Sequence, residues 1–215
     1  MMGMLGETLA WLRAHPGAFS GAVAEHVLLS LVGLAMGIGV AVPLGLAVAH
    51  RPRLAELAIS LAGALRTVPS LAVLAALLPL LGVGFTPSVI ALALLAVPPV
   101  LVNLLAGIRG ADPAAVAAAT GLGMSPGQVL FRVELPLALP LLFSGLRVAA
   151  VQVVSAAALA TFIGGGGLGD LVTQGLALLD TGRMLLGAAA IAALALLTEA
   201  GFGLLERRLQ RRVQA

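Results

Sequence analysis

The chain has no cysteine, no lysine and no tyrosine, and only 10% of its 215 residues are charged. Without cysteine, disulfides, thiol chemistry and cysteine metal sites are excluded. Without lysine, a P-loop of the form G-x-x-x-x-G-K-[ST] is excluded, because its lysine contacts the phosphates. Any nucleotide energy must therefore be supplied by another polypeptide. The few charges are also too few to cover the surface of a water-soluble domain of this size.

Apolar residues dominate what is present: 60% of the residues are hydrophobic and the mean hydropathy is +1.13. This composition predicts an all-α, polytopic membrane protein, because helices satisfy their own backbone hydrogen bonds in lipid. The pI near 11.3 reflects an excess of only three positive charges. The arginines lie at segment ends, as in HRPR (50–53) and ERRLQRR (206–212), which indicates cytoplasmic anchors beside lipid rather than a nucleic-acid-binding face.

A helix needs about 20 apolar residues to cross the hydrocarbon core. Five stretches qualify: 27–49, 55–82, 87–108, 137–163 and 184–205. Arg66 and Pro69 interrupt the second stretch and predict a kink or break there, and Pro98-Pro99 predicts a bend in the third. Three small residues in the first stretch permit close helix contact: Gly33, Gly37 and Gly45.

These stretches divide the chain into segments with different expected positions. We expect an interfacial leader at 1–26, a transmembrane domain at 27–205 that contains a cytoplasmic loop at 109–136, and a basic tail at 206–215. Arginine is concentrated in the segments expected on one side of the membrane, whereas the opposite loops hold only Arg183. The positive-inside rule then predicts an outside N-terminus and a cytoplasmic C-terminus.

Residues 110–140 form the longest stretch that is too rich in polar residues and prolines to lie comfortably in a bilayer. Asp112-Pro113 is a strong helix start, with an N-cap acceptor and proline at the first helical position. Gly121 or Gly123 is placed to end that helix. Ser125-Pro126 begins a second helix, for which Gln128 completes a capping box, and we expect Pro136 to end it. The loop is therefore predicted to be ordered, with two capped helices. This pattern alone also suits a loop that only connects two spans and has no further function.

The same stretch resembles the cytoplasmic loop of permease subunits of ATP-binding cassette importers, written EAA---G---------I-LP. The spacing agrees throughout, and the matching positions are Ala117, Ala118, Ala119, Gly123, Val133, Leu135 and Pro136. Alanine replaces the motif's glutamate at 117, and valine replaces isoleucine at 133. The resemblance implies a MetI-like permease fold, in which the short helix at 113–121 docks in a groove of a cytoplasmic ATPase.

Other strings resemble osmoprotectant permeases, which carry glycine betaine, carnitine, choline or proline. These strings are LRTVPSLAVLAALLPLLGVG (65–84), GIRGADP (107–113) and GLRVAAVQVVSAAALATFIGGGGLGDLV (145–172). The resemblance implies cytoplasmic ATPase subunits that use ATP-Mg, a second permease copy and an extracytoplasmic substrate-binding protein. It implies no enzyme activity, metal or cofactor in this chain. Permeases for other small solutes, such as amino acids, share parts of these strings and stay an alternative.

Polar residues inside the spans are candidates for a translocation path or gate. An arginine at the centre of a span costs about 2.5–3.5 kcal/mol, so Arg66 and Arg147 suggest a cavity, a gate or a subunit contact, with snorkelling to the interface as the alternative. Gln152 and Ser155 suit a path or a helix–helix hydrogen bond. Within FIGGGGLGD (162–170), Gly165 and Gly166 suit close packing and positive-φ turns near an outer gate.

The aromatic content bears on the solute. Quaternary ammonium groups bind best on tryptophan and tyrosine faces, and the only such residue is Trp11. A betaine would therefore have to be selected by a separate or fused binding protein. Three rival functions are an intramembrane enzyme, a secondary transporter and a structural subunit. Histidines confined to segment ends disfavour the enzyme, and five spans without inverted repeats disfavour the secondary transporter. The structural subunit stays a lesser alternative.

Overall fold

The computed structural model describes the backbone of residues 2–213 and the side chains of residues 6–206. All regular structure in that part of the chain is helical. The α-helices are α1 (Met2–Ala14), α2 (Pro16–Val48), α3 (Pro52–Thr67), α4 (Ser70–Leu81), α5 (Phe85–Arg109), α6 (Pro113–Gly121), α7 (Pro126–Val129), α8 (Leu135–Ala157), α9 (Leu168–Ala177) and α10 (Thr181–Val213). A π-helical turn at Leu130–Glu134 joins α7 to α8, and a 3-10 turn at Ala158–Ile163 ends α8.

Five candidate membrane spans account for most of the described chain. Four are single helices or continuous helical runs: Pro16–Val48, Phe85–Arg109, Pro126–Ile163 and Thr181–Glu206. The fifth is the pair α3 and α4, which meet at 96°. The all-α fold and the number of spans agree with the sequence prediction.

The first span begins earlier than the sequence predicted. Helix α2 starts at Pro16 and has 33 residues, about 50 Å at the usual rise, whereas the predicted span began at residue 27. Proline is favoured at the first helical position, and the apolar run that follows offers no reason for the helix to start again. The expected boundary between leader and membrane domain at residue 26 is therefore not a helix boundary. Helix α1 packs against the start of α10, where a Cβ on Gly182 would lie 2.8 Å from the Glu7 backbone.

The break predicted in the second span is present. Val68, at the C-cap of α3, is extended, with φ −76° and ψ 126°. Proline disfavours the helical conformation of the residue before it, so Pro69 forces Val68 out of the helix. Helix α4 restarts at Ser70 in a new direction. The second span is consequently two half-helices with a corner between them.

Pro136 does not end a helix, and that prediction was wrong. The helical run continues from Pro126 to Ile163. In a regular α-helix the ring of Pro136 would press on the carbonyl of Arg132, four residues back. The wider π-helical turn at Leu130–Glu134, in which the Leu135 N–H donates to the Leu130 carbonyl, directly precedes the proline and removes that conflict. The loop at 109–136 and the fourth span are thus joined through one continuous helical run.

Helix α5 is the centre of the bundle and packs between α2 and α8. A Cβ on Gly37 would lie 2.6 Å from the Ala96 Cβ, and one on Gly145 would lie 2.7 Å from the Pro99 carbonyl oxygen. Gly33 and Gly45 contact α5 equally closely, which confirms the role predicted for the small residues of the first span. Helix α5 passes through Pro98-Pro99 without a break.

Candidate coupling and translocation site

The loop between the third and fourth spans has the caps that its sequence predicts. The Ala114 N–H donates to Asp112 Oδ1 at 2.9 Å and starts α6. The Ser125 N–H donates to Gln128 Oε1 at 2.8 Å, and the Gln128 N–H donates to Ser125 Oγ at 3.4 Å. These two bonds form the capping box that starts α7. Both helices therefore begin where the sequence placed them.

Gly123 allows the chain to reverse after α6. Its φ is +82°, in the left-handed region that glycine adopts without a Cβ penalty. The Met124 N–H donates to the Ala119 carbonyl across this turn at 3.2 Å. A Cβ at Gly123 would meet nothing within 4 Å. The residue is therefore needed for its backbone conformation rather than for space.

The motif residues form a surface of small side chains with apolar neighbours. Ala117 and Ala118 are exposed, whereas Ala119 faces the protein and is 3% exposed. Leu122 and Phe131 are 81% and 58% exposed beside them. The other motif positions are half-buried at Val133 and Leu135 and exposed at Gly123 and Pro136. The loop thus presents an alanine-rich helix that a partner backbone is able to approach closely.

The inner end of the loop is fixed to the membrane helices. Glu134 is 7% exposed, and its Oε2 lies 2.8 Å from Nε2 of His50, in the turn between the first two spans. Helix α5 also touches α8 here, since a Cβ on Gly107 would lie 2.8 Å from that of Ala138. Contacts with two other parts of the helix bundle thus hold this end of the loop.

A cavity of about 260 Å³ occupies the corner between α3 and α4. It brings together three residues that the sequence marked for a path or gate, Arg66, Pro69 and Gln152. The remaining lining residues are Leu65, Thr67, Val68, Ser70, Leu95 and Pro98. Ser155 is exposed on α8 and is not among them. The lining of the cavity therefore combines polar and apolar side chains.

Arg147 lies apart from this cavity in a cluster of charges. Its Nη1 donates to Glu206 Oε2 at 3.0 Å, and its Nη2 donates to Glu199 Oε1. The two glutamates are seven residues apart on α10 and share one face. Gly203 lies between them, and a Cβ there would lie 3.7 Å from the Arg147 Cζ. The cluster connects α8 to α10 within the chain.

The glycine-rich segment makes the predicted turns and close packing. Three of its glycines have positive φ: Gly164, Gly166 and Gly167. Gly165 packs so closely that a Cβ would lie 2.4 Å from Ser88 Oγ. Gly165 and Gly166 also line a separate cavity of about 370 Å³ together with Glu25, Leu28, Phe85, Gly164 and Asp170.

Several contacts of this region could not be found from the sequence. The Gly167 N–H donates to Glu25 Oε2 at 3.1 Å, and Nε2 of the fully buried His26 lies 3.0 Å from the Val154 carbonyl. The partners are separated by 142 and 128 residues, and no local pattern connects them. Among the residues that the structure describes, no three His, Asp or Glu side chains come together to hold a metal ion.

The sequence is similar to those of characterised transport proteins over most of its length. Residues 33–211 match the family described as binding-protein-dependent transport system inner membrane component. The chain is 41% identical to a carnitine transport permease protein of Listeria monocytogenes over 86% of this chain and 85% of that one. It is 39% identical to a choline transport system permease protein of Bacillus subtilis (strain 168), with the same coverage. A glycine betaine/carnitine/choline transport system permease protein of that organism is 35% identical over 95% and 94%.

The fold is similar to those of solved amino-acid transporters. A methionine ABC transporter in an inward-facing conformation matches with a TM-score of 0.80 at 19% identity, over 89% of this chain and 96% of that one. An amino acid ABC transporter structure with histidines matches with a TM-score of 0.73 at 21% identity, over 93% and 97%. At these identities the likeness bears on the fold alone.

Proposed function

This chain belongs to the family of inner-membrane components of binding-protein-dependent transport systems, and from that premise we propose how it works as the permease of an ATP-binding cassette importer. Two permease subunits, either two copies of this chain or one copy and a close relative, enclose the path. A binding protein delivers the solute from outside. Two ATPase subunits bind ATP-Mg in the cytoplasm and switch the opening from one side to the other.

The coupling loop (109–136) is the part of the permease to which the ATPase binds. The observation that carries this proposal is the exposure of Ala117 and Ala118 on a capped helix, flanked by the exposed apolar side chain of Leu122. Small side chains let two backbones pack closely, and a helix that sits in a groove moves with that groove. With alanine at position 117, the contact depends on shape rather than on an ion pair at that position.

Movement of the loop reaches the membrane through rigid connections. The helical run from Pro126 to Ile163 has no break, and the His50–Glu134 contact attaches the loop to the first two spans. A packed bundle responds to such a push by rigid-body rearrangement rather than by bending. The orientation that fits this mechanism has the loop and the C-terminus in the cytoplasm, in agreement with the distribution of arginines.

The solute of this importer is a small osmoprotectant with a quaternary ammonium group. Three relatives at 35–41% identity are named for carnitine, choline or glycine betaine. The chain itself has no tyrosine and a single tryptophan, so it lacks the aromatic residues for a tight ammonium cage. The binding protein selects the solute, and the permease provides a transient path. The similarity to amino-acid transporters lies in the fold, so an amino-acid solute is the second candidate.

Reconstitution of the complete importer tests the proposal. The chain is coexpressed with its ATPase and placed in proteoliposomes, and ATP hydrolysis and uptake are measured with glycine-betaine-loaded binding protein. We expect the two proteins to copurify, and loaded binding protein to raise both hydrolysis and uptake. The purified chain alone should hydrolyse no ATP above background. Failure to associate with an ATPase, or hydrolysis that ignores the binding protein, would contradict the proposal.

A further inference from the structure

Arg66 is a positive charge at the corner where α3 meets α4. It lies in the last turn of α3, fourteen residues after Pro52, or about 21 Å along the helix. The α3–α4 pair is apolar enough to be a candidate membrane segment. Within such a segment, a charge is expensive unless it faces a cavity or another charged group.

The second feature of Arg66 is its lack of an ion-pair partner among the described side chains. None of the carboxylates of residues 6–206 forms an ion pair with it. Arg147 is the contrasting case, because two glutamates neutralise it. Arg66 is also exposed, so its guanidinium N–H groups are accessible from the cavity that it lines. The guanidinium is therefore available to an anionic group from outside the described part of the chain.

The other lining residues of this cavity are of two kinds. Gln152, Thr67 and Ser70 add neutral polar groups, and no acidic residue is among the described lining residues. Leu65, Leu95 and Pro98 are among the apolar lining residues. A solute with a carboxylate at one end and a methylated ammonium at the other suits this mixed lining, because trimethylammonium presents methyl groups to its surroundings. A cation without a carboxylate would form no ion pair with Arg66 and would be repelled by its charge.

We propose that Arg66 determines specificity in the path by binding the carboxylate of a zwitterionic solute as it crosses. The guanidinium presents a planar fork of donors that matches a carboxylate in a bidentate manner. The permease therefore favours solutes of the betaine and carnitine type, which carry a carboxylate, over choline, which carries none. This inference rests on the proposed function and adds a second selection step after the binding protein.

The test compares three variants in the reconstituted importer, with the same binding protein and ATPase throughout. Arg66→Gln removes the charge, whereas Arg66→Lys keeps the charge but lacks the planar guanidinium donors. Arg53→Gln is the control and removes a charge from the exposed start of the same helix. Initial uptake of glycine betaine, carnitine and choline is measured for each, and each rate is divided by the wild-type rate for the same solute. Because the binding protein is identical, its own preference cancels in these ratios.

We expect Arg66→Gln to lower uptake of glycine betaine and carnitine about tenfold or more, and to leave choline uptake unchanged or higher. Arg66→Lys should lose less than Arg66→Gln, and Arg53→Gln should match the wild type. An equal fall for all three solutes, or no fall for the carboxylate solutes, would overturn the inference. A wild-type importer that transports none of the solutes would instead overturn the proposed function.

A second readout applies where the binding protein delivers no choline. ATP hydrolysis stimulated by loaded binding protein is then measured beside glycine betaine uptake. If Arg66 acts on the solute, Arg66→Gln lowers the number of solutes carried per ATP while stimulated hydrolysis continues. If Arg66 is only structural, hydrolysis and uptake fall together, and the inference is wrong. The yield of assembled complex confirms that each variant folds.

Discussion

Nε2 of His50 lies 2.8 Å from Oε2 of Glu134, so the turn between the first two spans holds the inner end of the coupling loop. The two residues are far apart in the sequence, and Glu134 is almost fully buried. A buried carboxylate needs a partner, because removing one member of such a pair leaves the other without compensation. This contact therefore attaches the loop to the turn between the first two spans.

Replacing His50 should weaken that attachment. We expect His50→Ala to lower the free energy of unfolding by about 1–3 kcal/mol, because it removes the polar group that lies closest to the buried Glu134 carboxylate. Heating the detergent-solubilised importer and measuring the folded fraction gives the stability. Arg51→Ala, at the exposed neighbouring residue, is the control and should leave stability unchanged. Equal stability of the His50 and Arg51 variants would show that the contact has no structural role.

The charge cluster of Arg147 should respond to single and combined replacements in opposite ways. Arg147→Met leaves Glu199 and Glu206 without a positive partner in the last span. We expect a clear loss of folded protein in the membrane. The triple variant Arg147→Met, Glu199→Gln and Glu206→Gln removes every charge of the cluster and should recover most of the yield. If the yield of folded protein is as low for the triple variant as for Arg147→Met, charge balance alone does not explain the role of the cluster.

Two glycines of α2 provide a matched test of the close contact with α5. At Gly37 a Cβ would lie 2.6 Å from the Ala96 Cβ and 2.8 Å from the Ala93 carbonyl oxygen. At Gly39 it would meet nothing within 4 Å. We expect Gly37→Leu to destabilise the protein by about 1–3 kcal/mol through overpacking, and Gly39→Leu to be tolerated. Thermal unfolding of the two variants measures the difference, and equal effects would be inconsistent with the α2–α5 packing.

Gly123 offers a test of the turn that follows α6 in the coupling loop. Asparagine adopts the left-handed conformation readily, so Gly123→Asn should keep most of the uptake. Gly123→Trp strains the positive-φ turn and adds a large side chain on the exposed surface, so it should abolish uptake while membrane insertion continues. Uptake by proteoliposomes and the amount of inserted protein are the two measurements. Full uptake by the tryptophan variant would show that the ATPase does not grip this turn.

The parts of the fold that the sequence predicted depend on nearby residues. Asp112 caps α6 through a residue two positions on, and Ser125 and Gln128 cap α7 across three positions. Pro69 breaks the second span by its effect on the residue before it. These are contacts within one turn of the chain, so the residue types alone determine them.

The parts that the sequence did not predict depend on partners brought together by the fold. Arg147 was recognisable as a costly charge, but its two glutamate partners lie 52 and 59 residues away. Pro136 was recognisable as a helix breaker, yet the π-helical turn before it lets the helix continue. Whether the wider turn or a chain break resolves the conflict depends on how α8 packs. A local pattern does not carry that information.

Cysteine labelling tests the central claim, that the exposed face of α6 is gripped from the cytoplasm by an ATPase. The chain has no native cysteine, so Ala118→Cys and Ala119→Cys each introduce a unique thiol, the first exposed and the second buried. Inside-out vesicles are treated with a membrane-impermeant maleimide, with and without bound ATPase. We predict that the cysteine at 118 is labelled, that the ATPase protects it, and that the cysteine at 119 reacts little in either case. Labelling of position 118 only from the external side, or labelling unaffected by the ATPase, would contradict the account.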